Sequence, residues 1–173
     1  VGMLPYRIME DFQKLRGAFA QYRKDPDDPS IQQEILFYAG VLSHYAGDTA
    51  QPLHMTIHFN GWVNGQGEVI KARGIHARFE GEFVRDFIKQ ADCRPHVTAP
   101  VLYDDMHEAI RQAFTTSFAE LERVYHLDES GQLKKPDKEA LTFGQQRLAH
   151  GSSFLAGLWY TAWMTSDRVE LPD

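Results

Sequence analysis

The chain has 173 residues, 43% of them hydrophobic and 24% charged, and a formal net charge of -6. That length suits one globular domain over residues 1–173, able to bury about 70% of its unfolded surface without help from disulfides. A single cysteine, Cys93, excludes an internal disulfide and a cysteine-based zinc finger. No apolar run reaches the roughly 20 residues of a transmembrane segment, and the acidic balance argues weakly against a broad phosphate-binding face. No basic stretch followed by an apolar one opens the chain as a signal peptide would.

Taken in order, the predicted elements are nearly all helices. Pro5 suits a first helical position, and Ile8, Phe12, Leu15, Phe19 and Tyr22 recur at steps of four and three until Asp25-Pro26 stops the pattern. Ser30 followed by Gln33 reads as a capping box that opens a second helix, with an apolar face through Phe37 and Val41. A Gly- and Asn-rich loop covers about 60–74, where NGWVNGQGEV has the turn chemistry of a small hairpin. Ile75, Phe79, Phe83 and Phe87 mark a third helix. Asp104 or Asp105 can cap a fourth, carrying Ile110, Phe114, Leu121 and Tyr125. A fifth begins near Pro136 and runs through Leu141, Leu148, Leu155, Leu158 and Ala162. Its Gly144, Gly151 and Gly157 each cost roughly 1 kcal/mol of helix propensity but permit close approach by a neighbour. The expected fold class is therefore all-α, with about five main helices and no repeat or linker.

Polar residues interrupt this pattern in one place. On the second helix the stripe of Phe37 and Val41 continues at the same steps to His44 and Asp48, so the face expected to meet the core changes from hydrocarbon to imidazole and carboxylate. A buried, unpaired carboxylate is strongly unfavourable. A divalent metal resolves this most simply, because residues four apart share a helix face and can converge on one cation. His54 comes six residues after Asp48, beyond Gln51-Pro52, where proline disturbs the helix or starts another turn. GIHARFEGEF then repeats the device, with His76 and Glu80 again four apart. Either pair alone is more often an ordinary hydrogen bond than a metal site. The run His-x3-Asp-x5-His followed by His-x3-Glu is much rarer, and it makes His44, Asp48, His54, His76 and Glu80 the candidate ligands. His58, close to the loop, reads as a supporting or surface group. His107 sits among carboxylates at a helix start, and His96, His126 and His150 lack a partner at ligand spacing. These four are read as structural or solvated.

HYAGDTAQPLH (44–54) together with GIHARFE (74–80) resembles the signature of the zinc-dependent phospholipase C and single-strand-specific nuclease superfamily. LPYRIMEDFQKL near the start and LWYTAWMTS near the end are similar to segments of its bacterial members, so the resemblance spans nearly the whole chain. It implies a mostly helical zinc-dependent hydrolase of phosphodiester bonds, secreted or periplasmic, of the endonuclease or phospholipase C type. His44 would help bind one zinc of a close pair and Asp48 would bridge that pair as the catalytic carboxylate. His54, His76 and Glu80 would hold a third zinc. Glutamate at 80 is closer to the phospholipase C pattern than to the nuclease pattern. Paired zinc ions about 3.5–4 Å apart activate a water and clamp the oxygens of an in-line displacement at phosphorus.

The departures from that family carry equal weight. Its members also use an N-terminal tryptophan, an early histidine and a further aspartate and histidine, whereas this chain has no histidine before His44. The expectation is therefore the C-terminal part of a longer catalytic domain, with the third-zinc site complete and the pair half built; a shortened relative is the alternative. Two other classes stay open: a non-catalytic helical domain with one structural zinc, and a metal-free helical interaction module. The substrate is left as single-stranded nucleic acid or a phospholipid headgroup, since both present the same phosphodiester.

Overall fold

A computed structural model describes residues 2–171. The fold is all-α, as the 3.6-residue periodicity predicts, with a single two-stranded hairpin among the described residues. The first helix, α1 (Leu4–Lys24), buries Ile8, Phe12, Leu15, Ala18 and Ala20, and places Arg23 and Lys24 in its last turn, where they complement the exposed carbonyl end. The second, α2 (Pro29–Ala50), corrects two expectations. Its N-terminus is capped by Asp28, whose carboxylate accepts from both the backbone N–H and the hydroxyl of Ser30, so Ser30 is a partner of the cap and not the cap itself. Its buried residues are Leu42, Ala46, Thr49 and Ala50, whereas Phe37 is 65% exposed and His44 is also exposed. The expected core face is thus rotated, because the small residues Ala46 and Ala50 at four-residue spacing with Leu42 define the packed side. Proline at 52 disfavours helical backbone at Gln51, which is extended, and α2 ends there.

A single 3₁₀ turn, Pro52–Met55, comes next. The predicted hairpin forms: β1 (Trp62–Val63) pairs antiparallel with β2 (Val69–Lys71). Asn64 Oδ1 closes the turn by accepting from the N–H groups of Gln66 and Glu68. At Gly61 (φ +134°) any side chain would lie 2.6 Å from Val69 Cγ1, which requires glycine there. The third predicted helix is a π-helical segment, Ala77–Phe83, running into the short α3 (Val84–Phe87), then α4 (Gln90–Cys93). The fourth is divided into α5 (Met106–Phe118) and α6 (Leu121–Glu129), and Asp105 caps the former through Glu108 N–H. The last, α7 (Lys138–Thr165), is capped by Asp137 through Ala140 N–H.

Contacts cluster into two compact units. One comprises Asp48–Thr98 and Gln112–Gly151, built on a core of Leu53, Ile75, Phe79, Phe83, Val124 and Phe143 with their neighbours. Each such fully buried side chain contributes about 1.5–3 kcal/mol of transfer free energy. Gly144 lets α7 meet this core, since a Cβ there would sit 2.7 Å from Phe83 Cε1. Arg78 reinforces the same unit with a two-pronged pair to Asp128, at 2.7 and 2.6 Å. The other unit comprises Gly2–Gly47, Ala99–Arg111 and Ser152–Asp173, of which the described residues bury Ile8, Phe12, Leu15, Leu42, Phe154 and Leu158. There Trp163 lies edge-on to Phe19 and beneath the Arg23 guanidinium, 3.9 Å from the ring centre. Gly157 accommodates Tyr103, whose ring would lie 2.6 Å from a Cβ at that position. No helix among the described residues is long and apolar enough to cross a membrane.

Candidate metal centre

Three of the five candidate ligands converge. His54 rides on the 3₁₀ turn, locked by burial of Pro52 and Leu53, while His76 and Glu80 come from the start of the π-helical segment, anchored by Ile75 and Phe79. Winding with i→i+5 hydrogen bonds is wider than α, and such segments recur at functional sites. The Nε2 atoms of His54 and His76 are 2.9 Å apart. Glu80 Oε2 lies 3.3 Å from His54 Nε2 and 3.2 Å from His76 Nε2. The side chains of His54 and His76 are 23% and 32% exposed and that of Glu80 is 50% exposed, so the cluster opens to solvent on the carboxylate side.

This triangle fits a metal ion. Atoms at about 2.0–2.1 Å from a common centre with these separations subtend roughly 90–110°, within the range of four-coordinate zinc. Asp48 Oδ1 lies 3.4 Å from His54 Nδ1, so a His54 tautomer carrying its proton on that nitrogen would leave the Nε2 lone pair facing His76 and Glu80. Lone-pair atoms that close repel one another unless a proton or a cation sits among them.

Asp48 therefore stands against the far nitrogen of His54, on α2's last turn. His44, one turn earlier on the same helix, is exposed and its ring is edge-on to Tyr45 at 5.3 Å; it belongs to the other compact unit. His58 is structural: its Nδ1 accepts from Val63 N–H, its ring lies parallel to Trp62 at 4.1 Å, and its carbonyl accepts from the Tyr125 hydroxyl. His150 sits with a buried Nε2 that lacks a hydrogen bond, and burial together with the Arg147 charge pushes its pKa down.

Gln51 and Asp11, at no recognisable ligand spacing, are among the buried polar residues. Gln51 is 8% exposed, and its amide touches both ligand-bearing segments. The signal that locates it is its place immediately before Pro52, where a side-chain acceptor caps the following turn. Asp11 is 5% exposed on α1 with Oδ2 lacking a hydrogen bond, and burial raises its carboxyl pKa despite Lys14. Its signal is its place three residues after Ile8 and four before Leu15, on the apolar face of α1.

Fold and site together define a helical protein bearing a His-His-Glu cluster that could hold a metal ion. No family model and no solved structure matches the chain. It is 26% identical, over 201 aligned positions that take in 99% of its length, to a probable serine protease of Bradyrhizobium tropiciagri. The chain spans about a quarter of that relative's length.

Proposed function

We propose that the chain is the zinc-binding portion of a phosphodiester hydrolase of the zinc-dependent phospholipase C and single-strand-specific nuclease type. The observation that carries this reading is the convergence of His54 Nε2, His76 Nε2 and Glu80 Oε2 within 3.3 Å of one another, the three residues to which the resemblance assigns one zinc. A zinc ion with three protein ligands and an open position supplies Lewis-acid polarisation of a phosphoryl oxygen and a water of lowered pKa. The chain's own residues supply the framework. His54 and His76 offer neutral imidazole nitrogens, Glu80 offers one carboxylate oxygen, and Asp48 holds the proton at His54 Nδ1 that keeps Nε2 free. A secreted or periplasmic setting accords with that family.

The experiment is to express the natural full-length protein, count zinc, and compare hydrolysis of single-stranded DNA, phosphatidylcholine and a simple aryl phosphodiester. Zinc-dependent cleavage of any one of them supports the reading and identifies the substrate class. A zinc-loaded protein that cleaves none of the three leaves the structural-zinc domain as the better account. The serine protease name belongs to a far longer relative, so a fluorophosphonate label serves as the control arm: labelling of a serine in this segment would favour that chemistry instead.

A further inference from the structure

We infer that Gln51 is a positioning residue for the metal centre, holding the Glu80 carboxylate in the ligating pose and tying it to the turn that carries His54. The inference rests on the proposed metal reading of His54, His76 and Glu80. Gln51 is buried, and both ends of its amide are used. Its Oε1 accepts from Leu53 N–H at 3.2 Å, capping the 3₁₀ turn, and its Nε2 donates to Glu80 Oε2 at 3.1 Å. That oxygen is the one facing both imidazole Nε2 atoms. The cap fixes which way the amide faces, since a flipped amide would set N–H against N–H and carbonyl against carboxylate. A carboxylate oxygen has lone pairs enough to accept the amide and still face a cation.

The main chain completes the link. Gln51 N–H donates to the Asp48 carbonyl at 3.2 Å, and the Gln51 carbonyl accepts from His54 N–H at 3.0 Å. One residue therefore touches the segments of Asp48, His54 and Glu80. Glu80 needs such a tether, because a half-exposed glutamate otherwise samples several rotamers. Residues behind a metal's direct ligands set ligand orientation, and their loss typically weakens metal affinity 10–100-fold.

Gln51→Asn separates positioning from capping: asparagine is among the best N-cap residues, but its side chain is one methylene too short to keep both contacts. The probe is Co²⁺, titrated into the apo protein and read by its visible d–d bands, which report the geometry of the ligand set. Gln51→Asn should weaken the Co²⁺ Kd by about 10–100-fold and shift those bands, while the melting temperature in chelator stays near that of wild type. In a Glu80→Ala background, Gln51→Asn should produce no further loss. Should Gln51→Asn fold poorly, Gln51→Met takes its place, scored by the narrowing of the Tm gap between the metal-loaded and chelated protein. Wild-type Kd and bands in the variant, or an undiminished loss in the Glu80→Ala background, would overturn the positioning role alone. A wild type that binds no Co²⁺ overturns the metal centre itself.

Discussion

His54 meets a different partner at each ring nitrogen, Asp48 at Nδ1 and the His76–Glu80 pair at Nε2, so the two sides of one imidazole can be tested separately. His54→Ala removes one of three ligand atoms and should abolish zinc retention at this cluster, measured by metal analysis after dialysis. Asp48→Asn should leave that zinc in place with affinity lowered about 10–100-fold, yet remove most phosphodiesterase activity of the full-length protein. Unchanged activity in Asp48→Asn would sink its catalytic assignment. Asp11 makes a separate case. Its folded pKa is raised, so the native state holds the proton more tightly than the unfolded chain does. Its contribution to stability is full in acid and is lost as pH rises from the unfolded value through the folded one. Asp11→Asn should therefore melt higher than wild type at neutral pH, with the gap closing in acid; a pH-independent gap would assign the effect to packing. The His54, His76 and Glu80 cluster was legible in the sequence because these residue types stand at fixed spacing, His76 and Glu80 four apart, whereas His44, on the expected core face of α2, is exposed. Asp11 was not legible by that signal, although its position between Ile8 and Leu15 puts it on the apolar face of α1, because ligand spacing passes over a lone carboxylate.

At the scale of elements, helix existence is legible from spacing, and the α5 cap from Asp104-Asp105 at its start, while the Asp28 cap of α2 and the orientation of that helix are not. Periodicity misplaces the face of α2 because it weighs Phe37 above Ala46, whereas packing at Leu42, Ala46 and Ala50 favours the small residues that admit a neighbour. The division of α5 from α6 carries no proline or glycine, so the sequence offers no break signal between Phe118 and Leu121. Two glycines of α7, Gly144 and Gly157, are the close-approach points that their cost in helix propensity suggests. Gly144→Ala should lower stability by about 1–3 kcal/mol despite its better helix propensity, because Phe83 is fully buried and cannot retreat. Gly157→Ala should act similarly through Tyr103. Denaturant melts of both variants check this, and a stabilised Gly144→Ala would mean that propensity outweighs the clash.

For the whole molecule, a ligand that binds only the folded state adds to its stability by mass action. At 100 times its Kd, zinc would contribute about 2.7 kcal/mol, which at this chain length corresponds to roughly 5–10 °C in Tm. Adding chelator at neutral pH should therefore lower the melting temperature by that amount, and the effect should fade in acid, where imidazole is protonated and cannot ligate. An unchanged Tm would favour the metal-free helical module. The all-α class was readable from the sequence because nearly every segment repeats apolar residues at helical steps. The separation into two compact units was not, because α2, α5 and α7 each supply residues to both, leaving no linker composition to read.

The π-helical segment carries its residues on a wider winding than an α-helix would. A π turn takes one more residue than an α turn over the same number of hydrogen-bonded rings, so removing one residue can restore α winding while keeping the register of the residues beyond it. Gly81 is exposed, lies just after Glu80, and has open space where a Cβ would be. A chain lacking Gly81 should keep Phe83 and Val84 in their packing and remain folded, while Glu80 turns relative to His76. Foldedness and metal capture would then come apart in a single-residue deletion. Circular dichroism together with a zinc count on that deletion tests it, and full zinc retention would show that the wider winding is incidental.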